Sequence, residues 1–201
     1  TLSLHDALPI YLPIGSITGN TATGIVDLRS TAGAITDANG STNNITASDL
    51  KLSAYSGIGS SDPLGTQVGT LSSASSLMFG DIAIANSGRT MTLGTLSPGS
   101  GGRWLIYAPN PSGIVKGGNT SAFRMYNSAT PPTTGNGFVY ASAPGTVTVD
   151  TILTSGSASH TYGSTPTATF DKSLVNSSSY DSEDFALISG TPVFTPSISS
   201  R

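Results

Sequence analysis

The sequence predicts an all-β chain: coils of a parallel β-helix, a solenoid, followed by a partial, mainly antiparallel small β-domain. Three observations carry that prediction. Ser and Thr supply 60 of the 201 residues and Gly a further 24. Charged residues make up 9%, where an ordinary soluble domain has about 25%. Short apolar runs recur roughly every two dozen residues, with turn-forming residues between them.

The composition also excludes several classes. Helical bundles need charged helix formers in quantity, and these are scarce. The net charge of -3 and the isoelectric point near 5.0 argue against a nucleic-acid partner, which calls for a basic surface. With no Cys there are no disulfides, thiolate metal sites or cysteine nucleophiles. Disorder is disfavoured because 36% of the residues are hydrophobic, the mean hydropathy is slightly positive at +0.05, and the apolar residues are patterned.

Thr1 to Ile10 (TLSLHDALPI) match the conceptual translation of a common short-read sequencing adapter at all ten positions. The stretch has no positive n-region and no apolar h-region. Residues 1–10 are therefore expected to be an assembly scar outside the fold, which removes His5 and Asp6 from any chemical argument. The last residues, Thr195 to Arg201 (TPSISSR), follow shortly on a strand-like run, and the chain is expected to be an internal fragment of a longer protein.

Residues 11–101 carry the repeats. Glycines open apolar runs at Gly15 (GSIT), Gly33 (GAIT), Gly57 (GIGS), Gly80 (GDIAI) and Gly102 (GRWLIY), spaced 18, 24, 23 and 22 apart. A second run follows each of the first four: Ile25 to Leu28, Ile45 with Leu50 and Leu52, Val68 with Leu71, and Met91 with Leu93 and Leu96. Ile45, Val68 and Met91 lie 23 residues apart. Alternation such as Leu50-Lys51-Leu52 has the two-residue period of a half-buried strand. Asn39-Gly40, Asp62-Pro63 and Ser87-Gly88 suit tight corners. One such unit cannot bury its inward face alone, whereas stacked units can. About four coils, at ~4.8 Å per rung, make a column roughly 20 Å tall. An evenly spaced β-sandwich is the competing arrangement.

Ser97 to Gly102 (SPGSGG) marks a change of character. Residues 102–144 are expected to form a transitional β segment, with Arg103 to Tyr107 and Phe138 to Ala141 as strands around a Pro-punctuated stretch. Residues 145–201 are expected to form the partial β-domain, with strands at Thr146 to Leu153, Thr167 to Phe170, Phe185 to Ile188 and Val193-Phe194.

These residues carry a family resemblance. Gly33 to Leu71, followed by Gly80 to Ile84, resembles the repeat region of filamentous haemagglutinin-like exoproteins, the large adhesins of two-partner secretion in Gram-negative bacteria. Gly102 to Asn110, with Gly135 to Tyr140, is similar to the segment that follows their helical repeats. Tyr162 to Pro166 (YGSTP), with Leu174-Val175-Asn176 and Ser189 to Pro192 (SGTP), resembles the small β-domains called MBG. The resemblance covers nearly all of residues 15–201. It implies a secreted, cell-surface location and a role in adhesion. It also implies partners among host-cell or neighbouring-cell surface glycans or proteins, and an outer-membrane secretion partner for the full-length protein. The family's N-terminal secretion-recognition domain is absent from the sequence, and ligand specificity does not carry over.

No reaction and no cofactor are expected. His160 is read as a loop residue, which leaves a catalytic serine without a base. A polysaccharide-acting β-helix enzyme is the alternative, and it needs carboxylates converging on one groove. Asp27, Asp37, Asp49, Asp62 and Asp81 are instead spread singly; Asp37 and Asp62 fall at near-equivalent phases of the repeat, where turn formation is the simpler role. The one acidic cluster, Asp181, Glu183 and Asp184, is the candidate for Ca²⁺ through hard oxygen ligands, with a solvated loop between strands as the plainer reading. Asn39, Asn44, Asn119 and Asn176 begin Asn-x-Ser/Thr sequons, which arise easily by chance in so hydroxyl-rich a chain.

Overall fold

A computed structural model describes residues 2–4, 11–127, 130–143, 151–153 and 168–170. The chain divides into two compact units, Thr1–Pro144 and Gly145–Arg201. The first is a parallel β-solenoid of about five turns. Among the described residues no helix is long and apolar enough to cross a membrane.

The strands of the first unit follow the chain as β1 (Leu2–Leu4), β2 (Tyr11–Ile14), β3 (Ile17–Thr18), β4 (Ile25–Ser30), β5 (Ala34–Asp37), β6 (Ile45–Ala54), β7 (Leu64–Ser76), β8 (Ile82–Asn86), β9 (Met91–Ser97), β10 (Trp104–Ala108), β11 (Ile114–Val115), β12 (Phe123–Tyr126) and β13 (Gly137–Tyr140). Every ladder among them is parallel, which decides for the solenoid over the sandwich. Along β4 the burial alternates strictly, with Val26, Leu28 and Ser30 inward and Ile25, Asp27 and Arg29 outward. Like residues stack on like from coil to coil. Leu12, Ile35, Ile58, Ile82 and Trp104 form one inward column, and Val26, Leu50, Leu71 and Leu93 form another. Each fully buried aliphatic side chain in such a column stabilises the fold by about 1.5–3 kcal/mol relative to exposure.

The register refines the phase read from the sequence. Gly57 and Gly80 sit at positive φ (108° and 101°) at one corner, where a side chain would meet backbone. Gly15 lies elsewhere in its coil, because Leu12, not Ile17, aligns with Ile35, and Ile17 aligns with Ile45. The 23-residue spacing of Ile45 and Val68 is likewise not the rung spacing, since Val68 faces Ala47. A bulge accounts for part of the drift: Leu50 pairs Leu71 but Lys51 pairs Ser73, leaving Ser72 unpaired.

Two regions depart from expectation. Leu2–Leu4, within the stretch set aside as a scar, ladders with β4. A strand at the end of a stack presents open N–H and C=O groups that an extended Leu-Ser-Leu segment can satisfy. The expected break after residue 101 is not a structural one either. β10 stacks on β8, β11 on β9 and β13 on β10, so residues 104–140 continue the column. The order at this end is unusual: β13 lies between β10 and β12, so the later strand is inserted beneath the earlier one. Aromatic rings replace the aliphatic columns here, with Trp104 and Phe138 centroids 5.1 Å apart and Tyr126 and Tyr140 5.2 Å apart. Gly137 leaves room for the Phe123 ring, which stands 2.2 Å from where a Cβ would be.

In the second unit, β14 (Thr151–Leu153) and β15 (Ala168–Phe170) pair antiparallel. This matches the strand sense expected of the small domain. The strands expected at Phe185 to Ile188 and Val193-Phe194 lie outside the described residues.

Candidate binding groove

The candidate site of the solenoid is an open groove of about 660 Å³ on one outward face. Its floor is a single register column. Gly65 pairs with Ala85, Ala85 with Tyr107, and Tyr107 with Val139. Three rung steps make this floor roughly 14 Å long. The backbone groups of the column are used in the ladders between rungs, so an occupant meets side chains and not a free strand edge.

The wall comes from a difference between coils. With the coils numbered one to five by the column Leu12, Ile35, Ile58, Ile82 and Trp104, coil four runs straight through as Ile84-Ala85-Asn86, but the two coils before it make excursions at this same phase. In coil two the chain leaves the face after Asp37 and returns at Asn44; in coil three it leaves after Ile58 and returns at Leu64. The two excursions bring Ser41, Thr42 and Asn43, and Ser61, Asp62 and Pro63, to the groove. Gly65 allows the first of them to lie close, since a Cβ there would be 2.7 Å from the Thr42 carbonyl oxygen.

Asn44 holds this wall. It is fully buried. The two hydrogens of its Nδ2 are shared among Ile14 O (2.6 Å), Asn39 Oδ1 (2.8 Å) and Asp37 Oδ1 (3.0 Å), and its Oδ1 accepts from Gly65 N (2.8 Å). Asp37 Oδ1 also accepts from the backbone N–H groups of Asn39 (2.7 Å) and Gly40 (3.0 Å), so Asp37 is the turn former that its sequence context suggested. Asn43 ties the first excursion to coil four, its Oδ1 accepting from Ser87 Oγ at 3.2 Å.

Among the described residues, Tyr107 is the one aromatic side chain lining the groove. Burial pushes its phenol above the ordinary range, and the Arg103 guanidinium pulls it partly back. Among the described residues no group hydrogen-bonds its hydroxyl, nor the hydroxyls of Ser41 and Ser61. Beside Tyr107 the surface is small and apolar, with Ala85, Ala108, Val139 and Pro109. Among the described residues, Asp62 is the only one lining the groove that carries a formal charge.

The other singled-out residues lie apart from the groove or serve the fold. Asp49 Oδ1 accepts from Ser72 Oγ at 2.6 Å, steadying the bulge. Asp81 accepts from Arg103 N (3.0 Å) and faces Arg103 Nε at 3.5 Å. Asp27 is exposed opposite Lys51 in the ladder. Among the described residues no three His, Cys, Asp or Glu side chains gather to hold a metal ion. Asp181, Glu183, Asp184 and His160 lie outside the described residues.

The sequons have a structural explanation. Asn44 is buried as above, Asn39 Nδ2 donates to Gly15 O, and Asn119 Nδ2 donates to Lys116 O (2.7 Å) and Gly94 O (2.9 Å). These amides satisfy corner carbonyls between coils, which is a recurrent need of a stacked fold. Asn176 lies outside the described residues.

The groove itself was not found from the sequence. Apart from Tyr107 its floor residues are small, and 20 to 32 positions separate successive members. The available signal was the pair of turn clusters at Asp37–Asn44 and Gly59–Pro63, which fall on one phase of consecutive repeats. No family model matches the chain, and neither does any curated protein or solved structure.

Proposed function

We propose that the chain is a structural and adhesive part of a large secreted bacterial surface protein, in which the repeat column acts as a stalk that presents binding surface. The observation that carries this reading is the continuous parallel column from β2 to β13, with a mostly uncharged, hydroxyl-bearing groove on its outward face. A rigid column places identical weak sites at fixed separations on neighbouring molecules, and avidity then replaces a single deep pocket. The partners are surface glycans or proteins of host or neighbouring cells, and an outer-membrane partner exports the full-length protein from a Gram-negative cell.

The polysaccharide-acting enzyme needs several charged groups converging on its groove, and among the described residues Asp62 is the one charged group that lines it. Adhesion under flow tests the proposal. Beads coated with the chain are expected to stay on epithelial or bacterial cell layers at shear that removes albumin-coated beads, and excess free chain should displace them. Equal detachment of the two bead types overturns the adhesive reading. Sustained release of reducing ends from polysaccharide by the chain replaces it with the enzymatic one.

A further inference from the structure

The chemistry of the groove narrows the class of ligand, given the adhesive reading on which this step rests. A pyranose ring has one apolar C–H face and a rim of hydroxyl groups that both donate and accept. The groove offers the complement. The Tyr107 ring, Ala85 and Val139 make an apolar floor, and Ser41, Asn43 and Ser61 place hydroxyl and amide groups along the wall. Hydroxyl groups suit a sugar because each can act in either sense. The volume of about 660 Å³ lies inside the range of roughly 300–1,000 Å³ typical of small-ligand sites. Floor residues recur at a rung spacing of about 4.8 Å, close to the length of one sugar unit, so several units can lie along the column.

Charge and backbone geometry decide against the other occupants. Among the described residues the only charged one lining the groove is Asp62, an acid, and no Lys or Arg lines it. A sulfated or carboxylated glycan would meet repulsion with no compensating cation. An extended peptide gains affinity by adding to an open strand edge, and the floor strands here are laddered on both sides. We infer that the groove binds a neutral oligosaccharide, seated along Gly65, Ala85, Tyr107 and Val139, with the Tyr107 ring as its stacking platform.

The test uses the full chain in calorimetric and saturation-transfer NMR titrations. Probes are neutral tetrasaccharides of glucose, galactose, mannose and N-acetylglucosamine, with a heparin tetrasaccharide as the anionic comparison. Saturable binding of at least one neutral probe is expected, with Tyr107 ring protons in contact. Tyr107→Ala should weaken it by about tenfold, as loss of an aromatic contact does. Because Tyr107→Ala leaves a gap in a half-buried site, Ala85→Leu serves as a second variant: it adds bulk to the outward-facing floor, should keep the circular dichroism spectrum and Tm, and should still abolish binding.

Three outcomes overturn the inference: no saturable binding of any neutral probe at millimolar concentration, tighter binding of heparin than of every neutral probe, or unchanged affinity in a folded Ala85→Leu chain. If beads adhere to cells while no neutral probe binds, the groove assignment falls and the adhesive reading stands. If the beads fail as well, both fall.

Discussion

Replacing Asn44 with Ala removes a buried side chain that joins coils one, two and three at the groove wall. The cost can be worked from its bonds. Gly65 N–H loses its acceptor and is left in a part-buried site, for about 1–3 kcal/mol. The bond from Nδ2 to the Asp37 carboxylate is charge-assisted, and such bonds contribute about 1.5–3 kcal/mol. Ile14 O keeps a second donor in Ala38 N at 3.0 Å, so its loss adds little. Losses within one network are not additive, and about 3 kcal/mol is the expected total. Urea unfolding followed by circular dichroism measures it, provided the slope with denaturant is unchanged. Asn43→Ala, which removes one surface bond to Ser87, is the control and should cost under about 0.5 kcal/mol. A loss below about 0.5 kcal/mol for Asn44→Ala would show that the wall is held by something other than this amide.

Other positions give independent checks. Gly80→Ala places a Cβ 2.8 Å from Ser56 O at a φ of 101°, and a loss of about 1–3 kcal/mol is expected from thermal unfolding. Arg89 donates from Nη1 to Thr21 O at 2.6 Å, across three coils; Arg89→Ala should lower stability by about 1 kcal/mol in denaturant titration, with protease sites opening around residues 20–24. Ultraviolet titration of Tyr107→Phe against the parent chain should show the loss of one tyrosine that ionises above the ordinary value of about 10. Because the folded phenol is raised, its contribution to stability is full below the ordinary value of about 10 and is lost as the pH rises through the folded value. Arg103→Gln removes the charge that favours the phenolate and should move that titration higher still.

Much of the column was legible because its rule is local. Val26, Leu50 and Leu71 announce their faces by alternation, and the Gly57 and Gly80 corner recurs at a nearly constant interval. Residues 104–140 hid the same architecture, since the Pro-rich connections around β11 and β12 lengthen the period and β13 takes its rung out of sequence order. The phase of the first coil was misread because Gly15 looks like Gly33 in composition; only the ladder shows that they occupy different corners. The groove was harder again. Nothing about Ala85 or Gly65 marks a site until rung registry sets them in line with Tyr107, although Asp37 and Asp62 do announce two turns at one phase. The sequons illustrate the reverse case, a motif with a plausible modification reading that the structure spends on corner carbonyls.

The inserted position of β13 has a mechanical consequence. In a solenoid whose rungs follow chain order, tension on the C-terminal side of the column first reaches the outermost rung, which peels away one bond at a time. Here the pull passing back from residue 141 arrives first at β13, which is laddered to β10 on one side and to β12 on the other. Both ladders must give way before the strand leaves, and the outer strand β12 carries no load until they do. This end of the column therefore behaves as a cleat and not as a zipper, and the rungs beneath it stay in register under loads that would fray a simple stack.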